Sequence, residues 1–99
     1  MISMYGKSMP DKVHCAHILV KTEQEAKVVL ERLKKGEKFA NIAMEISLCP
    51  SGKKGGDLGT FGRGKMVKEF EVGAFALEKG QTSGLVKTKY GYHVIKRLE

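Results

Sequence analysis

Cysteine is scarce. The 99-residue chain has two, Cys15 and Cys49, enough for one disulfide at most, so a disulfide-stapled scaffold is excluded. Long hydrophobic runs are missing as well. None approaches the ~20 apolar residues that a membrane-spanning helix needs, which gives the expectation of no membrane partner. The N-terminal stretch lacks an apolar segment followed by a small-residue cleavage site, so no secretory signal is read there. Together with the low cysteine content, this sets the expectation of a reducing, cytoplasmic protein. Residues 1–10 have no hydrophobic periodicity and read as a disordered leader, leaving residues 11–99 as one domain with one core. Acidic residues are the minority, 11 against 18 Lys and Arg, for a formal net charge of +7. The excess is mostly lysine, spread over Lys34, Lys35, Lys38, Lys53, Lys54, Lys65 and Lys68. That dispersion reads as a solvated surface rather than a nucleic-acid footprint.

What is present suits an ordinary globule, 41% hydrophobic and 29% charged. Val13 to Val20 alternates and is rich in β-branched residues, which predicts a strand. Its period of two puts Cys15, His17 and Leu19 on one face, and His14, Ala16, Ile18 and Val20 on the other. Thr22 followed by Glu25 forms a capping box that opens a helix. Ala26, Val29, Leu30 and Leu33 make its apolar stripe, and Gly36 suits a left-handed end. Phe39, Ile42, Ala43 and Ile46 predict a second helix, and Pro50 bars its continuation. Ser51 to Gly56 reads as a mobile loop. Leu58 to Phe61 reads as a short strand, broken by Gly62 and Gly64. Val67, Phe70, Ala74 and Leu77 predict a third helix ending near Gly80. Leu85 to Thr88 and Tyr92 to Leu98 read as closing strands joined by a turn at Lys89 to Gly91. The order β-α-α-β-α-β-β is α+β, with no internal repeat and no second domain.

Three segments carry the chemistry: His14-Cys15-Ala16-His17-Ile18-Leu19-Val20, Cys49-Pro50-Ser51-Gly52-Lys53-Lys54-Gly55-Gly56-Asp57-Leu58-Gly59-Thr60-Phe61, and Tyr90-Gly91-Tyr92-His93-Val94-Ile95. In this order they resemble the parvulin family of peptidyl-prolyl cis-trans isomerases, over roughly residues 13 to 98. The resemblance implies a four-stranded, mostly antiparallel sheet surrounded by three to four helices. It implies rotation of X-Pro bonds in proline-containing peptides and unfolded chains, by a monomer, with no cofactor and no metal. His17 and His93 match a hydrogen-bonded histidine pair beneath the pocket. Cys49 matches a position that points at the rotating bond and acts without covalent attack. Met66 and Phe70 match the proline-ring pocket, Leu58 its wall, and Thr88 a hydroxyl beside the histidines. Glu69 stands where many family members carry proline. The short connection after Lys21 has no arginine pair, unlike phosphate-directed members, and resembles the minimal single-domain prokaryotic ones. A binding-only module that holds proline-containing chains is the main alternative.

Other constellations are weaker. Gly59 to Lys65 fits G-x-x-x-x-G-K, but Met66 stands where a magnesium-binding Ser or Thr belongs. Cys15, His17, Cys49 and His93 could make a Cys₂His₂ set, yet they lack the local spacing of structural zinc. A Cys–His hydrolase would need an oxyanion hole that no motif suggests. Phe61, Tyr90 and Tyr92 could stack bases, but no nucleic-acid motif accompanies them. From the missing arginine pair, a phosphorylated Ser-Pro or Thr-Pro peptide is expected to exchange no faster than its unphosphorylated twin. Exchange NMR on the two peptides checks this, and a tenfold phosphopeptide advantage, about 1.4 kcal/mol, would overturn it.

Overall fold

The computed structural model describes residues 11–99, so the leader read at residues 1–10 lies outside the described residues. The chain runs β1 (Lys12–Val20), α1 (Glu23–Lys34), α2 (Phe39–Ile46), a 3₁₀ turn (Pro50–Lys54), β2 (Asp57–Gly62), α3 (Lys68–Phe75), β3 (Val86–Thr88) and β4 (Gly91–Arg97). The sheet order is β2-β1-β4-β3, and every pairing is antiparallel. This is the α+β order expected from the sequence.

Alternation in β1 divides the interior in two. Ala16, Ile18 and Val20, with Val94 of β4, pack against Ala26 and Val29 of α1 and Phe39, Ile42 and Ala43 of α2. Val13 and Cys15, with Ile95, pack on the other face against Phe61 and against Phe70, Ala74 and Phe75 of α3. The sheet is therefore the middle layer, and α3 has one face of it to itself.

Local chemistry explains the helix ends. Thr22 accepts the Glu25 backbone N–H, while the Glu25 carboxylate accepts the Thr22 N–H, closing the capping box. At the other end, Gly36 N–H donates to Leu33 C=O and Glu37 N–H to Arg32 C=O. Gly36 sits at φ 97°, the left-handed residue that this paired termination requires. α3 stops at Phe75, earlier than expected, yet Leu77 is still buried from the turn beyond it.

The stretch read as a mobile loop is instead an ordered 3₁₀ turn with Pro50 at its start. Its glycines serve close packing. A Cβ on Gly52 would lie 2.9 Å from the Ala43 carbonyl oxygen, and one on Gly55 2.8 Å from the Ala40 side chain. Gly56, at φ 87°, faces the backbone of His17, where any Cβ would collide with the His17 oxygen. At this same spot His17 N–H donates to Gly56 C=O at 2.9 Å. The β1–β2 register shifts between His14 and Ala16, which opens the space that Gly56 fills. Gly56→Ala is therefore expected to cost about 2–4 kcal/mol, from strain at positive φ added to overpacking. A shift of the urea midpoint measures it, and an unchanged midpoint would refute the close-approach argument.

Candidate active site

Strand register brings the two histidines together. His17 lies opposite Ile95, and His93 opposite Leu19, so the two histidines are diagonal neighbours on the α3 face. Diagonal side chains across an antiparallel pair are within reach of one another. Their Nδ1 atoms are 2.9 Å apart, and the two rings lie side by side with planes 20° from parallel. Such a bond needs a proton on one nitrogen and a lone pair on the other. β3 extends the chain of contacts: Thr88 Oγ1 lies 2.7 Å from His93 Nε2 and accepts the Tyr90 N–H at 3.1 Å. One atom at the end of this chain, His17 Nε2, is buried with no partner among the described residues. Phe70 stands edge-on to both rings, with centroids 5.4 and 5.2 Å away.

Burial sets the charge state. It pushes His17 down to about 4, with the neighbouring His93 adding a smaller push the same way. Burial also lowers His93. Both rings are therefore neutral at pH 7.

In front of the pair opens a cavity of about 410 Å³. Its floor is His17, Leu19 and His93, and its walls are Leu48 to Pro50, Leu58, Lys65 to Val67, Phe70 and Tyr90. His17, Cys49, Leu58, Met66, Phe70 and His93, all singled out in the sequence, thus line one cavity. Thr88 does not. It stands beside the histidines as the resemblance implies, but grouping it with the substrate-binding residues Leu58, Met66 and Phe70 is corrected: it is buried behind His93 and supports the ring. Phe70 lines the cavity and is also core, 3% exposed and packed on Phe61. Cys15 is fully buried in the α3-side core, where burial raises its thiol to about 11 against the lowering effect of Arg97. It does not join Cys49, which is partly exposed, and both thiols are free. Among the described residues, no group of three or more His, Cys, Asp or Glu could hold a metal ion.

The segment read as a G-x-x-x-x-G-K match runs through the edge strand β2 into a turn before α3. That turn carries Lys65 and Met66 to the cavity.

Two polar clips position the walls, and neither was singled out in the sequence. Ser47 Oγ accepts the Leu19 N–H at 3.1 Å and the Cys49 N–H at 3.4 Å, and Leu48 N–H donates to Leu19 C=O. These bonds fix Cys49 to the end of β1. Glu71 of α3 accepts the Gly64 N–H at 2.7 Å and pairs with Arg63 at 3.5 Å, whose guanidinium lies 4.3 Å over the Phe75 ring. This clip holds the turn that carries Lys65 and Met66. Leu19 was legible from the period of two in β1, but a polar clip leaves no such spacing in the sequence.

The neutral pair makes a pH prediction. The unfolded chain takes up protons near pH 6.5, whereas the folded His17 does so only near 4. Stability is thus fully present above the unfolded value and is lost as pH falls toward 4, by on the order of 2–3 kcal/mol for His17. Chemical denaturation from pH 7 to 4.5 is expected to show that decline, and a shallower one in His17→Asn. A flat wild-type profile would contradict neutral burial.

Comparison with known proteins agrees with this geometry. A family model described as rotamase, PPIC-type PPIase domain, matches residues 15–99. The foldase protein PrsA of a Geobacillus species is 53% identical over 93 residues, covering 93% of this chain and 34% of that protein. The chain thus spans about a third of the length of the curated relatives it matches. The solved structure of Pin from the psychrophilic archaeon Cenarcheaum symbiosum is 57% identical, with a TM-score of 0.80 over 95% of this chain and 98% of that one. The crystal structure of peptidylprolyl isomerase PrsA from Bacillus cereus is 50% identical, with a TM-score of 0.87 over 90% of this chain and 35% of that one. Matched along nearly its whole length in both sequence and fold, the chain belongs to the PPIC-type, or parvulin, family of peptidyl-prolyl isomerases.

Proposed function

We propose that this cavity rotates X-Pro bonds in unphosphorylated, proline-containing chains, and that the protein thereby helps other proteins fold. One observation carries the reading. An apolar cavity stands over a buried, neutral His17–His93 pair, with Cys49 on its rim. Rotation about an X-Pro bond faces a barrier of about 20 kcal/mol because twisting ends amide resonance. No atom is transferred, so catalysis needs only a preference for the twisted amide. The planar amide is the more charge-separated form, and an apolar cavity disfavours it. Phe70, Met66 and Leu58 hold the proline ring while the preceding carbonyl turns past Cys49.

A non-covalent role for Cys49 fits its surroundings. Among the described residues, both histidines bond to each other and His93 to Thr88, and no hydrogen bond joins either to Cys49. A thiolate–imidazolium pair, which a nucleophilic cysteine uses, is therefore unsupported. The preference for unphosphorylated chains rests on the lining. With both histidines neutral, Lys65 is the one cation in the described lining, and Arg63 is engaged by Glu71 and Phe75. The reading extends to a monomer in a reducing, cytoplasmic setting, with which two free thiols are compatible.

Exchange NMR on a model X-Pro peptide tests the reading: enhanced cis–trans exchange supports it, and binding without exchange would favour a holder of proline-containing chains. Cys49→Asp is expected to keep most of the rate and Cys49→Ala to lose about tenfold, ~1.4 kcal/mol. A covalent intermediate trapped on Cys49 would exclude the mechanism. Met66→Ala is expected to cost rate with little stability. Phe70→Ala is expected to cost both, because truncating a buried Phe removes about 3–5 kcal/mol.

A further inference from the structure

Beside the cavity lies a second hollow of about 360 Å³, lined by Met44, Leu48, Cys49, Pro50 and Lys53 among others. Met44 is 56% and Leu48 61% exposed. The apolar stripe of α2, through Phe39, Ile42 and Ala43, is turned into the core, so Met44 adds nothing to it. Exposed apolar residues scattered singly need no explanation. Two of them lining one hollow next to an active-site cavity are a different case. The two hollows adjoin, since Leu48, Cys49 and Pro50 line both.

From this we infer that the Met44–Leu48 hollow is a second subsite, taking a hydrophobic side chain of the same polypeptide whose proline occupies the cavity. The inference rests on the isomerase reading and names its substrate class: extended, unfolded chains with an apolar residue near the proline. A chain leaving the cavity over the shared wall of Leu48, Cys49 and Pro50 meets the hollow on its far side. Three extended residues span about 10 Å, enough for one chain to cross the shared Leu48–Pro50 wall. Methionine suits such a site, since its flexible thioether adapts to differently shaped apolar partners.

The test uses Ala-rich peptides around a central Ala-Pro, and the same peptides with Leu three residues before or after the proline. One of the two Leu peptides is expected to show a KM about five- to tenfold lower, the scale of burying part of a leucine side chain. Met44→Gln is expected to remove that gain and leave the all-Ala peptide unchanged. Titration followed by the Met44 methyl signal reads the subsite without turnover, and only the Leu peptide is expected to move it. If no peptide is turned over yet the Leu peptide moves that signal, the isomerase reading fails and the subsite stands. A Leu effect that is absent, or that survives Met44→Gln, would overturn the subsite. Sedimentation showing a dimer that Met44→Gln dissolves would also overturn it, by assigning the hollow to a second copy of the chain.

Discussion

Two imidazoles meet Nδ1 to Nδ1 in the interior, and that contact requires a bare nitrogen on one side and a proton on the other. The surroundings enforce the condition. Burial holds both rings neutral, Phe70 covers their edges, and Thr88 anchors the far nitrogen of His93. The register of β1 against β4 and of β4 against β3 must be kept for these three side chains to line up, since a slip of one residue would turn each to the opposite face. Gly56 belongs to the same requirement. It lets β2 and the 3₁₀ turn close against the His17 backbone, so the strand that carries His17 is held from both sides.

The arrangement is costly as stability goes. A buried polar atom without a partner costs about 1–3 kcal/mol, and His17 Nε2 has none among the described residues. A satisfied buried bond returns only about 1 kcal/mol net. Apolar residues of the same shape would fill the space at least as well. What they would lack is a fixed, neutral, polarisable floor beneath an apolar cavity, and that floor is what the proposed rotation of an amide uses.

Much of this was legible from residue spacing. Thr22 and Glu25 announced the first helix, Gly36 its end, and alternation in β1 gave the two faces of the sheet. The histidine pair was legible only through family resemblance, because residues 76 positions apart carry no local signal of contact. The failures have physical reasons. Glycine serves both flexibility and close approach, and Ser51 to Gly56 was read as the former when its neighbours Ala40, Ala43 and His17 demand the latter. Apolar spacing reports burial rather than helical hydrogen bonds, so Leu77 extended α3 beyond its true end. Thr88 does stand beside the histidines, but grouping it with the substrate-binding residues failed, because sequence does not tell the cavity side of a ring from its far side.

Floor and walls are built differently. The floor consists of sheet side chains whose positions follow from register and whose imidazoles burial favours as neutral. The walls that carry Cys49 and Met66 stand on irregular segments, each fastened by one polar side chain, Ser47 or Glu71, to a regular element. A site on loops alone would be imprecise, and one on strands alone could not be reshaped without breaking the sheet. With the clips, the electrostatic part of the site is fixed by the fold, while its shape depends on two short turns. The wall around Leu48 and Cys49 is therefore where a change of residue would alter which chains are accepted, leaving the histidine pair undisturbed.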